Sequence, residues 1–128
     1  MYKKLRRWLI VFFIAGVLTA CSSGKHPAAK SVEALLQALV ERDEAHLLTY
    51  TCPEFEEEAL MEYDSFSLVK TRLEGLDCKL VEQEGDQAKV VCQGQIIATY
   101  GSEDQTIELN NRTYQVIKRS GEWLVCGY

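Results

Sequence analysis

Histidine is scarce in this sequence: there are two, His26 and His46. Proton transfer at neutral pH draws on histidine more than on any other side chain, so little general acid–base chemistry is on offer. Close cysteine pairs are absent as well. The four cysteines beyond residue 21 are separated by 26, 14 and 34 positions, which leaves no zinc-binding spacing. Positive charge is in short supply beyond residue 20, where ten Lys and Arg face all nineteen Asp and Glu, a net charge of −9. That balance argues against nucleic acid as a partner and against electrostatic adhesion to anionic headgroups. No base or nucleophile elbow surrounds Ser65 or Ser67. Internal repeats and low-complexity runs are missing. The longest apolar run, residues 8–20, has thirteen residues, whereas a membrane-spanning helix needs about 20.

What is present begins at the first residue. Lys3, Lys4, Arg6 and Arg7 precede the apolar run, which closes in small residues. Basic, then apolar, then small is the order of a secretory signal. Leu18-Thr19-Ala20-Cys21 resembles the lipobox of bacterial lipoproteins. The resemblance implies a diacylglycerol thioether on Cys21 and cleavage in front of it, leaving residues 1–20 as signal peptide. Each buried methylene adds about 0.8 kcal/mol of membrane affinity, so two or three acyl chains make a stable anchor. The expected place is the cell envelope, outside the cytoplasm, with the membrane engaged through acyl chains on Cys21.

Residues 21–30 (CSSGKHPAAK) read as the lipidated cysteine and a short flexible tether. Residues 31–128 are long enough for one domain. Val32, Leu35, Leu36, Leu39 and Val40 recur at helical spacing, an amphipathic first helix. Asp43 is placed to cap a short second helix, and Pro53 with Glu54, Glu56 and Glu57 opens a third. Phe66, Leu68, Val69 and Leu73 predict that helix to run on to Gly75. Beyond Gly75 the apolar period falls to two. Leu76, Cys78 and Leu80 form one strand, Gly85-Asp86 turns the chain, and Ala88, Val90, Cys92, Ile96, Ala98 and Tyr100 share one face of the next. A third strand over 105–119 changes parity between Leu109 and Tyr114, which predicts a bulge at Asn110-Asn111. A fourth runs from Glu122. The expected class is α+β: helices on a single curved antiparallel meander of about four strands.

Folding the hairpin about Gly85 sets Leu80 opposite Val90 and Cys78 opposite Cys92, within disulfide reach. Four cysteines in an exported chain of this size imply two bridges, so Cys52–Cys126 follows by elimination. Its loop is by far the longer, and its loss is expected to cost more.

Three stretches together resemble the nuclear transport factor 2-like superfamily, the cystatin-like α+β cone, and within it small bacterial lipoproteins carrying domains of unknown function. They are residues 32–43 (VEALLQALVERD), residues 85–96 (GDQAKVVCQGQI) and residues 120–125 (SGEWLV). The resemblance implies a bent sheet around a pocket and homodimerisation through the sheet's outer face. It carries no function, because the superfamily hosts enzymes, binders and scaffolds alike.

Candidate site residues are few. Tyr63, Phe66, Tyr100 and Tyr114 are candidates for lining a cone pocket, although aromatics at such spacing are more often core. His46, among Ala45, Leu47 and Leu48, reads as a partly exposed helix residue and not as a catalytic one. The run of acids from Glu54 to Asp64 spreads around a helix and reads as a solvated face, not a calcium site. The expectation is a non-enzymatic, lipid-anchored binding or interaction domain, without cofactor or metal, meeting a second copy or an envelope protein through its sheet. The alternative is a carrier or sensor of a small apolar ligand in the cone, with a small-molecule isomerase or cyclase third.

Overall fold

The computed structural model describes residues 24–128. Cys21 and the expected signal segment lie outside them. The element order is α1 (Pro27–Glu41), α2 (Glu44–Thr49), a 3₁₀ turn (Pro53–Phe55), α3 (Glu56–Ser65), then β1 (Lys70–Glu84), β2 (Gln87–Tyr100), β3 (Glu103–Glu108), β4 (Thr113–Arg119) and β5 (Glu122–Gly127). Helices come first, followed by one curled antiparallel sheet.

Pro27 accepts the first turn of α1 because its missing N–H is one the helix leaves unpaired anyway. His26 caps that turn, its Nδ1 accepting the Ala28 N–H at 3.0 Å. Ala28 and Ala29 are wholly buried and α1 begins at Pro27, so residues 27–30, expected in a flexible tether, belong to the folded domain. The stripe of Val32, Leu35, Leu36, Leu39 and Val40 faces the core, each full burial contributing about 1.5–3 kcal/mol. Asp43 caps α2 by accepting the His46 N–H at 3.1 Å.

Arg42 stops α1 in the left-handed region, φ 61°, where a residue with a Cβ is uncommon. Its side chain explains the choice. The guanidinium lies 3.7 Å from the centre of the Tyr63 ring and donates to the Tyr63 carbonyl. The Tyr63 hydroxyl donates back to the Arg42 carbonyl at 3.0 Å. This clasp joins the end of α1 to α3.

The third helix does not run to Gly75. It ends at Ser65, and residues 70–74 are already strand, pairing from Lys70 with Thr99 to Glu74 with Gln95. Phe66, Val69 and Leu73 fit either period. The long partner decides: β2 reaches Tyr100, and a hairpin folded about residues 85–86 brings residues near 70 opposite its far end. Leu68, expected on the apolar side of the helix, is almost fully exposed in the connecting turn.

The sheet order is β1-β2-β4-β5, with β3 on the other half of β2. The β1–β2 hairpin bends sharply where Gly94, at φ 103°, approaches Gly75. A Cβ on Gly94 would lie 2.6 Å from the carbonyl oxygens of both Glu74 and Gly75, closer than real Cβ atoms come. Beyond the bend β2 hands its free edge from β4 to β3: residues 87–91 pair with β4, and residues 95–100 with β3. The single third strand expected over 105–119 is therefore two strands, and the sheet has five. At the joint Leu109 is buried, its N–H donating to the Gly94 carbonyl at 3.1 Å, and Arg112 turns the chain back on Leu109. A one-residue bulge would have restored parity along a straight partner, but the partner is bent.

Cys78 and Cys92 are directly opposed in the hairpin, Cα atoms 3.9 Å apart, and bonded. Cys52 bonds Cys126 across a separation of 74 residues. It reinforces a short parallel contact: the Cys52 N–H donates to the Val125 carbonyl and the Val125 N–H to the Tyr50 carbonyl, both at 2.8 Å. Trp123, whose face the sequence leaves open, is half-buried against the core beside His26.

The loops closed by the two bridges differ about fivefold in length. Loop-closure entropy then makes the loss of Cys52–Cys126 (both to Ala) costlier than the loss of Cys78–Cys92 (both to Ala) by about 1.5 kcal/mol. Thermal melts of the two double variants check this, and equal losses would contradict it.

Candidate functional site

A pocket in this architecture would lie between the helices and the concave face of the sheet. That space is filled. Val90, Ile96, Leu109, Tyr114, Val116 and Val125 exclude solvent completely, and they share one core with Val32, Leu36 and Leu39 of α1. Tyr114 takes the middle of it, opposite Val90 in the register. The four aromatics expected to line a pocket do not gather round a cavity. Tyr114 and Phe66 are core, Tyr63 is engaged in the Arg42 clasp, and Tyr100 stands exposed at the end of β2. Aromatic spacing reports a face, not a void, and here the face is packed shut.

The polar chemistry of the interior is concentrated at its rim. Glu62 of α3, Arg112 at the entry to β4, Tyr114 of β4 and Tyr128 after β5 meet there. Arg112 Nη2 lies 2.8 Å from Glu62 Oε1, both side chains less than one-fifth exposed. Arg112 Nη1 reaches the Tyr114 hydroxyl at 3.4 Å. The Tyr128 hydroxyl donates to Glu62 Oε2 at 2.6 Å. Its ring lies over the guanidinium, with Arg112 Cζ 4.3 Å from the ring centre. Phe55 and Tyr114 present themselves to the same ring edge-on, centroids 5.6 and 5.3 Å away.

The electrostatics follow from that packing. Burial alone would pull the Arg112 pKa down, but the charge and hydrogen bond of Glu62 outweigh it and the pKa is raised. Burial also pushes the Tyr114 hydroxyl up. For Tyr128 burial acts first and the bond to Glu62 adds to it, so its pKa is well above the ordinary value. At neutral pH the site is thus a held cation, its carboxylate and two neutral phenols.

Sequence reasoning counted Glu62 among solvated acids and passed over Arg112 and Tyr128. A signal was there for Glu62. It falls at i+7 from Phe55 and i+3 from Ala59, inside the apolar stripe that ends at Phe66. An acid in a buried stripe calls for a cation.

Elsewhere the pairing is superficial. His46 Nδ1 lies 2.6 Å from Asp43 Oδ2, and both side chains are open to solvent. The His46 N–H, then its ring, hold the Asp43 carboxyl below the usual carboxylate range. They border a shallow hollow of about 240 Å³ with Ala34, Gln37 and Tyr50. Lys25 bonds Asp77 Oδ1 at 2.7 Å and pairs with Glu33, whose Oε1 also accepts the Cys78 N–H at 3.0 Å. Those hydrogen bonds raise the Lys25 pKa and lower that of Asp77. Among the described residues no three His, Cys, Asp or Glu side chains converge as a metal site would require, and no helix is long and apolar enough to cross a membrane.

No protein-family model matches the chain, and a search of curated proteins returns no match. Solved structures do match. One is a Shewanella frigidimarina protein provisionally named a ketosteroid isomerase, with TM-score 0.55, 16% identity, and 77% of this chain and 89% of that one covered. The fold is nuclear transport factor 2-like. A second match is a SEC-C motif-containing protein of Rhodopseudomonas palustris, with TM-score 0.51, 16% identity and 77% of each chain covered. Likeness at this identity establishes the nuclear transport factor 2-like cone and carries no activity with it.

Two expectations follow from the rim. Arg112→Met leaves the Glu62 carboxylate enclosed without its cation, at a cost of about 2–3 kcal/mol. Adding Glu62→Leu recovers much of that loss, which denaturant titration of the single and double variants reads. The raised Tyr128 pKa means the unfolded chain ionises first. Stability is complete below the ordinary tyrosine pKa of about 10 and falls as pH climbs past it. Tyr128→Phe therefore melts with a shallower pH dependence above about pH 10 than the wild type, and an unchanged slope would refute the assignment.

Proposed function

We propose that this chain is a lipid-anchored protein of the bacterial cell envelope, and that its domain is a non-catalytic binding or interaction module. The anchor reading rests on the lipobox at Leu18 to Cys21. The module reading rests above all on one observation. The cone's interior, where isomerases of this fold class would work, is filled by Tyr114, Val90 and Ile96, and its rim is covered by the Glu62–Arg112–Tyr128 cluster. The same filling weighs against carriage of a small apolar molecule inside the cone. Partners would then meet the surface, either on the outer face of the sheet, where Val91 alternates with inward Val90, or at the rim itself.

The anchor is tested by producing the full chain in a bacterium fed an alkyne-bearing palmitate. Label is expected on the wild type and not on Cys21→Ser, with the wild type in the membrane fraction. Equal labelling of the two, or none on either, would overturn the anchored reading.

A further inference from the structure

Four groups converge on one ring. Tyr128 has a cation over its face, two aromatic edges against its sides and a carboxylate at its hydroxyl, contributed by Arg112, Phe55, Tyr114 and Glu62. These groups come from the 3₁₀ turn, α3, β4 and the entry to β4, and the Glu62–Arg112 ion pair holds the cation and the acceptor in place. A guanidinium over a ring contributes about 0.5–2 kcal/mol, and an edge-to-face pair about 0.5–1.5. A phenol donating to a carboxylate makes the stronger, charge-assisted kind of hydrogen bond.

Unlike Tyr114, which lies wholly inside the core, the Tyr128 side chain is packed by these groups yet still open to solvent. Its residue is 49% exposed, whereas Arg112 and Glu62 beneath it are mostly covered. The ring sits on a receptacle formed by other elements, at the solvent side of the core. Cys126, two residues earlier, is pinned to Cys52, which fixes the backbone near the ring independently of its side-chain contacts.

We propose that the rim of the cone is a binding site for a phenol ring, occupied in this structure by the chain's own Tyr128. The inference deepens the module reading of this same domain by naming its ligand chemistry: a neutral aromatic ring with a hydroxyl donor opposite its point of attachment. A small phenol and a tyrosine side chain presented by another protein share that chemistry. Tyr128 acts as an internal competitor, so an outside ring binds only in the fraction of molecules that release it.

The test uses the full chain, oxidised and purified in detergent, with p-cresol as probe. Toluene is the control because it has the same ring and methyl group, partitions into detergent, and has no hydroxyl. Tyr128→Ala is expected to melt lower than the wild type. At about five times its dissociation constant, p-cresol should raise that melting temperature by about 4–8 °C. Toluene should do markedly less, and Glu62→Gln in the same background should erase the difference between them. N-acetyltyrosine amide in place of p-cresol then reads the source: a larger shift points to a tyrosine of a protein partner, a smaller one to a free phenol. A melt indifferent to p-cresol, or one that toluene raises equally, overturns the proposal. Should Tyr128→Ala not fold, Tyr128→Phe keeps the ring and loses only its bond to Glu62. p-Cresol should then bind Tyr128→Phe at least about tenfold more tightly than the wild type, and equal affinities would overturn the proposal. These melts and titrations read the rim alone. Failure of palmitate labelling would remove the anchor without touching them, and their failure would leave the anchor standing.

Discussion

The backbone at Gly94 comes so near the carbonyls of Glu74 and Gly75 that no side chain fits between them. Two strands of fourteen and fifteen residues would otherwise twist away as a long ribbon with little to cover. Bent at this point, the hairpin folds over α1, and β2 serves two partners in succession. The fifth strand, the buried Leu109 and the position of Arg112 all descend from that bend. A glycine here costs backbone entropy on folding, and the curvature it permits is what closes the core.

Much of this was legible in the sequence because it is local. The stripe of α1, the Asp43 cap and the alternation of β2 each lie in one short window. The opposition of Cys78 and Cys92 needs only a turn at Gly85 and a count outward. What escaped is of longer range. Residues 66–73 carry apolar positions compatible with both periods, and their fate was settled by pairing with residues nearly thirty positions away. The break between β3 and β4 answers a bend in a different strand. At the rim, Glu62 was visible as an acid in an apolar stripe, but nothing in the order of residues places Arg112 and Tyr128 beside it. Reach across the fold is information that composition and spacing do not hold.

The interior and the rim divide the physical labour. The interior excludes water with aliphatic side chains, Phe55, Phe66, Tyr114 and the cystines, and among the described residues no buried polar side-chain atom there lacks a partner. The rim carries the charges, and the Glu62–Arg112 pair gives it a rigidity that loops of this size otherwise lack. The polar groups thus lie outward and the depths are dry, and under the reading proposed above recognition would take place at the surface.

The contacts of Lys25 and His26 bear on how the domain is placed. Lys25 is fastened to Glu33 and Asp77, and His26 caps α1, touches Gln83 at 3.0 Å and packs on Trp123. Between Cys21 and Lys25 there are four peptide steps, spanning at most about 14 Å when fully drawn out. An anchor at Cys21, as proposed above, would therefore keep the Lys25 end of the domain within that distance of its attachment. The Gln83 end of β1, bonded to His26, would then lie nearer the attachment than the Lys70 end, thirteen strand positions away.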